Sequence, residues 1–293
     1  MPHHTASIKT PSPANTWLVG DRSCDLSHTG MIMGIVNVTP DSFSDGGNFQ
    51  GAEAAVERAL QLESEGAAII DFGGESTRPG ANAVSTDEEI MRVLPPIEKF
   101  ASLRAEGTLI SVDTSKAKVA AAALATGADI INDVTGFSDP AMRSVAAGSD
   151  CGLVLMHMRG NPRNMQANPQ YEDILEEVMS YWGQQLNLCE HDGIARERII
   201  LDPGIGFGKS IAHNLELLRS LPDMRRTGRP LLMGTSRKSF IAALVGSKEI
   251  NRREWPTVAL TAYLRQQGAA ILRVHEPRAN LQAMRMSEAI LFG

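Results

Sequence analysis

Cysteine is scarce: only Cys24, Cys151 and Cys189 occur in 293 residues. Odd in number and widely spaced, they form no disulfide framework and fit a reducing compartment. Long apolar runs are missing too. No stretch reaches the roughly 18 consecutive apolar residues of a membrane-spanning helix, and the N-terminus lacks the basic-then-apolar order of a secretory signal. Basic charge is not in excess. Lys and Arg number 28 against 34 Asp and Glu, and the net charge of −6 argues against a general nucleic-acid binder. Pro/Ser-rich linkers, low-complexity tracts and long charge runs are also lacking. The expectation is a cytoplasmic protein with neither a membrane nor a nucleic-acid partner. Residues 1–16, polar and proline-containing, read as a loose tail before one domain over residues 17–293. His3-His4 belongs to that tail.

What is present is a repeated pattern: short apolar runs, each ending in a residue able to do chemistry. Met31–Val36 ends in Asn37, Ala67–Ile70 in Asp71, Leu109–Val112 in Asp113 and Ile130–Ile131 in Asn132. Leu153–Met156 ends in His157, Ile199–Leu201 in Asp202, and Leu231–Met233 in Gly234-Thr235-Ser236-Arg237-Lys238. Ile271–Leu272 runs into Arg273-Val274-His275. Eight strand-like runs, each followed by a helical segment, predict an α/β fold, a (β/α)8 TIM barrel. An open doubly wound sheet is the alternative. Residues 17–30 precede the first run and predict a short hairpin closing the opposite end.

The connections differ between the two ends. Helical segments run into Gly66, Gly107, Gly127, Gly193 and Gly268, which suit left-handed C-caps and short returns. Thr86 and Glu89 fit a capping box, and Asp139-Pro140 fits a capped start with proline at the first helical position. The strand-to-helix connections Asn37–Gly51, Gly73–Ser85 and His157–Tyr171 are long and rich in Gly, Pro, Asn, Asp and Arg. Barrel active sites sit on that side.

Several segments carry candidate chemistry. NVTPDSFSDGG (Asn37–Gly47) offers oxygen ligands suited to Mg2+, although it also reads as a polar turn. GGESTRPG offers Arg78 as an anion contact, weak on its own. Asp113, Asn132 and Asp202 at strand ends could read a flat heterocycle with an amidine-like N–H edge. Each aspartate could equally cap the next helix; the three together favour a site. GIGFGKS imitates a phosphate-binding loop, but Pro203 stands where the pattern needs glycine. It reads instead as a tight turn exposing Phe207 and Lys209. SRKS (Ser236–Ser239) sets two cations at a helix start, a place that favours anions. With Arg78, Arg273 and His275, Lys238 would make a cationic patch for an anionic substrate. His157 reads as a structural histidine.

In combination these segments resemble the dihydropteroate synthase family, from about Asp21 to the C-terminus. The pieces are MGIVNVTPDSFSDGG, DFGGESTRPG, SVDTSK, IINDV, LMHMRGNP, LDPGIGFGK, GTSRKS and RVHE, in the family order. The resemblance implies a (β/α)8 barrel, commonly homodimeric. The implied reaction joins 6-hydroxymethyl-7,8-dihydropterin diphosphate to p-aminobenzoate, giving 7,8-dihydropteroate and pyrophosphate with Mg2+ in folate biosynthesis. It further implies that Asn37 would bind Mg2+ and that Arg273 and His275 would hold the diphosphate. Asp113, Asn132, Asp202 and Lys238 would bind the pterin, in a slot shaped by Val134, Met156, Phe207 and Gly234. Thr77, Arg78, Pro79 and Ser239 would meet p-aminobenzoate. Asp113, Asp202, Lys238, Arg273 and His275 would carry the catalysis, by loss of diphosphate and attack of the arylamine on a pterin cation. The loops Thr39–Gly51 and Thr77–Ser85 would exclude water. Related methyltransferase domains and non-catalytic paralogues are the rival readings. GGESTRPG together with SRKS and RVH points to a diphosphate substrate and an arylamine acid rather than to the methyltransferases. A paralogue would be expected to have lost Asn37, Arg78, Lys238 or His275, all of which this chain keeps.

Overall fold

The computed structural model describes residues 15–38, 48–76, 83–160, 165, 169–247 and 249–293. Residues 1–14 of the expected tail lie outside the described residues, and so do 39–47 and 77–82 of the two long loops. Thr16, expected at the end of the tail, is already the first residue of a strand.

In chain order the elements are β1 (Thr16–Val19), β2 (Arg22–Asp25), β3 (Met31–Asn37), α1 (Asn48–Ser64), β4 (Ile69–Gly73), α2 (Thr86–Ala101), β5 (Leu109–Asp113) and α3 (Ala117–Thr126). There follow β6 (Ile130–Asp133), α4 (Pro140–Ala147), β7 (Gly152–Met156), α5 (Ile174–His191), β8 (Ile199–Asp202), α6 (Ile211–Arg219) and α7 (Leu221–Met224). The chain ends with β9 (Leu232–Met233), α8 (Ser239–Val245), α9 (Glu254–Gln267), β10 (Ile271–Val274) and α10 (Pro277–Phe292). Eight parallel strands stand in the order β8-β7-β6-β5-β4-β3-β10-β9. A parallel bridge between Leu201 and Leu231 joins the two edges and closes the barrel, and the Leu201 amide donates to the Pro230 carbonyl at 3.0 Å. Closure rules out the open sheet.

Strand residues alternate sides, and the barrel sorts them accordingly. Ile32, Ile70, Ile110, Ile131, Leu153 and Leu272 belong to the large core shared with the helices. Their neighbours Met33, Ile69, Leu109, Ile130, Val154, Ile200, Leu232 and Ile271 fill the barrel as one apolar cluster with Trp17, Val19 and Leu26. Trp17 comes from the β1–β2 hairpin, as the sequence predicts, and closes the N-terminal end of the barrel. Its indole N–H donates to the Arg198 carbonyl at 2.8 Å. A methyl group on Gly152 would lie 2.7 Å from the indole, so glycine is needed where the hairpin meets β7.

Local chemistry sets the turns. All five predicted helix-ending glycines have positive φ, from 88° at Gly193 to 120° at Gly127. Asp139 caps α4 through the Ala141 amide at 2.9 Å. The expected capping box at Thr86 and Glu89 is displaced. Ser85 is the cap, accepting from the Glu88 amide at 3.2 Å, because the Glu89 carboxylate is buried against Lys116 rather than folded back on the helix start. All three cysteines are free. No helix among the described residues is long and apolar enough to cross a membrane.

Candidate active site

One step of two residues carries each barrel strand from the apolar layer into a mostly polar one. Ile69 leads to Asp71, Leu109 to Ser111, Ile130 to Asn132, Ile200 to Asp202, Leu232 to Gly234 and Ile271 to Arg273. Two strands stay apolar there: β7 leads from Val154 to Met156 and β3 from Met33 to Ile35. Because every strand is parallel, all these residues lie at the C-terminal mouth.

Arg273 organises the layer. Its Nε donates to Asp71 Oδ2 at 2.6 Å and its Nη2 to Asp113 Oδ2 at 2.7 Å. Asn132 Nδ2 donates to the same Asp71 oxygen at 3.1 Å. One guanidinium thus serves two carboxylates. Burial pushes the Asp113 carboxyl up to about 7; Arg273 opposes this, and Asp71, Glu89 and Asp133 add to it. Burial works against the Arg273 charge, but Asp71 and Asp113 outweigh it and hold the guanidinium above its ordinary range. Asp71 Oδ1 and Ser111 Oγ are buried with no hydrogen-bond partner among the described residues. Such atoms are costly in a finished interior and mark a place prepared for a polar guest.

Across the mouth, Asp202 Oδ1 accepts from the Gly204 amide at 2.7 Å. A methyl group on Gly234 would lie 3.8 Å from both Asp202 Oδ2 and Lys238 Nζ, and 4.0 Å from Arg273 Cβ. Gly234 therefore leaves open the spot where these groups converge. Lys238 donates to the Ile205 carbonyl and lies 4.6 Å above the Phe207 ring. Burial pulls the Lys238 ammonium down to about 8, with Asp202 opposing and Arg273 assisting. Burial likewise raises the Asp202 carboxyl, against the pull of Lys238.

The turn after β8 departs from expectation. Lys209 is buried, with Nζ 3.0 Å from His157 Nδ1 and donating to the Phe207 carbonyl at 3.0 Å. Phe207 is half-buried rather than exposed. A methyl group on Gly204 would lie 1.9 Å from the His157 carbonyl oxygen, so this turn is pressed onto the end of β7 and the lysine is drawn under it. Lys209 therefore serves no phosphate, in agreement with the rejected nucleotide loop. His157 is structural as expected, its pKa lowered to about 3 by burial and by Lys209.

At β10, Ser236 Oγ accepts from the His275 amide at 3.2 Å and lies 2.9 Å from His275 Nδ1. Arg237, the other cation expected at the helix start in SRKS, turns away from Lys238. It takes φ 58°, and its guanidinium pairs with Glu254 at 3.0 Å and Glu276 at 2.7 Å. Arg273 is no free cation either, because two aspartates hold it. Val134 and Met156 are buried, and Ser239 is exposed in the first turn of α8. Asn37 ends β3, paired with Gly73 of β4 and partly exposed. Thr77, Arg78 and Pro79 lie outside the described residues. The site member that sequence reasoning left out is Asp71, although the signal was available: it ends an apolar run as Asp113 does.

Comparison with known proteins places this geometry. A family model described as pterin binding enzyme matches residues 33–275. Dihydropteroate synthase of Escherichia coli (strain K12) is 47% identical over 271 residues, covering 92% of this chain and 94% of that protein. The chain belongs to the dihydropteroate synthase family. Solved dihydropteroate synthases superpose along nearly the whole chain. The Xanthomonas albilineans protein with 4-aminobenzoic acid gives a TM-score of 0.86 at 42% identity, covering 93% of this chain and 96% of that one. The Burkholderia cenocepacia protein complexed with 7,8-dihydropteroate gives 0.84 at 38% identity, covering 96% of each chain.

Proposed function

We propose that this chain is a dihydropteroate synthase, a transferase joining 6-hydroxymethyl-7,8-dihydropterin diphosphate to p-aminobenzoate. The observation that carries the reading is the polar layer, in which Asp202, Lys238 and Arg273 converge on Gly234, while Asp113 and Asn132 are tied in through Arg273 and Asp71. Carboxylates and an amide suit the donor-rich edge of a pterin. The methylene C–O bond breaks and its electron pair leaves with the diphosphate. Asp113 and Asp202 lie where they stabilise the resulting pterin cation. The arylamine nitrogen then forms the new C–N bond and gives up a proton. Two of the five Arg273 N–H groups are spent on Asp71 and Asp113, which leaves three to hold diphosphate beside His275. A hydrogen bond from Ser236 to His275 Nδ1 would put the ring proton of the neutral imidazole on Nε2, the tautomer that an anion contact needs.

Mg2+ fits as the cofactor. Asn37 offers an amide oxygen at the mouth that makes no hydrogen bond to another described residue. Mg2+ prefers such a site, with few protein ligands and the rest from phosphate and water. When bound, the ion would neutralise charge on the leaving diphosphate. The described residues contain no group of three or more His, Cys, Asp or Glu placed to hold a metal by themselves. Thr77, Arg78, Pro79 and Ser239 are assigned to p-aminobenzoate, and Val134, Met156 and Phe207 to the walls of the pterin slot. The free cysteines fit a cytoplasmic setting.

The test is pyrophosphate release from the pterin diphosphate with Mg2+, run with and without p-aminobenzoate. Release that depends on the arylamine and yields dihydropteroate is the expected result; pterin binding without turnover would defeat the reading. A pH profile supplies a second check. Lys238 loses its charge as pH rises through about 8, so kcat/KM for the pterin substrate should decline above that pH. A flat profile between about pH 7 and about pH 10 would remove Lys238 from pterin binding.

A homodimer is part of this proposal. Leu244, Val245, Ile250 and Trp255 expose an apolar face from α8 to the start of α9, and Trp255 is 77% exposed. Large exposed patches of this kind mark association surfaces. The wild type should run as a dimer in light scattering and Trp255→Glu as a monomer. A monomeric wild type would end the idea.

A further inference from the structure

The turn after β8 holds a buried ammonium that the proposed reaction leaves unused. Lys209 is only 3% exposed. Its Nζ lies 3.0 Å from His157 Nδ1 and donates to the carbonyl oxygens of Phe207 and His157 at 3.0 Å and 3.4 Å. Three acceptors thus meet the three N–H groups of an ammonium one for one. A neutral His157 with its ring proton on Nε2 completes the set, and burial together with Lys209 and Arg159 keeps this imidazole neutral. The His157 amide donates to the Asp202 carbonyl at 2.9 Å, so the cation stands where β7 and β8 end side by side.

The turn needs a hold from outside its own backbone. Gly204, Gly206 and Gly208 all have positive φ, and a chain so rich in glycine does not by itself fix the Phe207 ring. The Tyr171 hydroxyl donates to the Gly208 carbonyl at 2.9 Å, and Lys209 holds Phe207. Methionine would fill the same space without the cost of burying a charge. What the charge adds is its action on Asp202, whose carboxyl both lysines, Lys238 and Lys209, pull down against burial. The titratable groups facing Lys209 are His157, Asp202 and Lys238. Burial brings the Lys209 ammonium down to about 7, with Asp202 opposing and Lys238 assisting.

We infer that Lys209 is a positioning residue for the pterin. Its ammonium fastens the Phe207 wall to the end of β7 and gives the Asp202 carboxylate a second cation besides Lys238. This inference rests on the proposed synthase function and adds to it a residue that acts through two others.

The experiment is calorimetric titration with 6-hydroxymethyl-7,8-dihydropterin, which lacks the diphosphate, in the absence of arylamine. Wild type, Lys209→Met, Lys209→Gln and Lys209→Arg are compared from about pH 5 to about pH 8. Methionine preserves volume and removes a buried charge, so the fold should survive. Lys209→Gln keeps two N–H donors without the charge and carries the test if Lys209→Met does not fold. At about pH 6, where Lys209 is charged, binding should weaken about tenfold in Lys209→Met and about threefold or more in Lys209→Gln. In both, the acid limb of binding should move up by about half a pH unit or more, because Asp202 then takes its proton more readily. A displaced wall alone would not move that limb. Lys209→Arg keeps the charge and should leave the limb in place. Unchanged affinity in the neutral variants, an unmoved limb, or a limb that moves equally in Lys209→Arg overturns this inference alone. A wild type that does not bind the pterin overturns the function and this inference with it.

Discussion

Arg273→Ala should lower kcat/KM for the pterin diphosphate by on the order of a thousandfold, about 4 kcal/mol of transition-state binding. In the proposed reaction the guanidinium holds the leaving diphosphate, and it lies between two carboxylates, one of them fully buried. Its removal leaves Asp71 and Asp113 facing each other without a cation, which should cost roughly 3 kcal/mol of folding stability. The loss has a sign in pH. Asp113, whose carboxyl burial already raises, would lose the cation that opposes this, so the variant binds its proton more tightly when folded. Its stability is therefore greatest at low pH and falls as pH rises through that raised value. Urea unfolding at about pH 5 and about pH 8 should show a larger deficit at the higher pH. Arg273→Lys restores charge but cannot reach both aspartates with a fork, and it should recover stability better than activity. An unchanged KM for the pterin diphosphate in Arg273→Ala would remove Arg273 from the substrate site.

The second large effect is expected from Asp202→Asn. The change removes a buried charge that faces Lys238 and replaces one acceptor with a donor. A hydrogen bond to a charged group contributes about 1.5–3 kcal/mol, so kcat/KM for the pterin substrate should fall roughly 100-fold. KM for p-aminobenzoate should hardly move. Asp202 also opposes the fall of the Lys238 pKa, so the alkaline limb of the pH profile should shift to lower pH in the variant. Equal losses toward the two substrates, with no shift of that limb, would count against Asp202 as a pterin ligand.

Much of this site was legible because a parallel barrel turns a one-dimensional pattern into a ring. Alternation puts every second strand residue inside, and the end of each apolar run marks the mouth. That rule found Asp113, Asn132, Asp202 and Arg273, and it applies equally to Asp71. Other features depend on contacts between residues far apart in the chain. Nothing in GIGFGKS tells that Lys209 is drawn beneath its own turn toward His157, 52 residues away. SRKS presents two adjacent cations, and only the tertiary partners Glu254 and Glu276 decide that Arg237 turns away while Lys238 stays. The displaced cap at Ser85 has the same origin, since Lys116 claims Glu89. Thr77, Arg78 and Pro79 lie outside the described residues, and their roles rest on the family pattern.

The indole of Trp17 turns an open tube into a cup. With an apolar floor and one rim, the barrel gives every molecule a single route in and out. The heterocycle would, on the proposed reaction, seat itself against Asp71, Asn132 and Asp202 before the arylamine closes over it, and the fused product would leave past the spot the arylamine first occupied. On the proposed reaction, traffic through this enzyme is a queue: the deeper substrate arrives first, and lingering product blocks both newcomers.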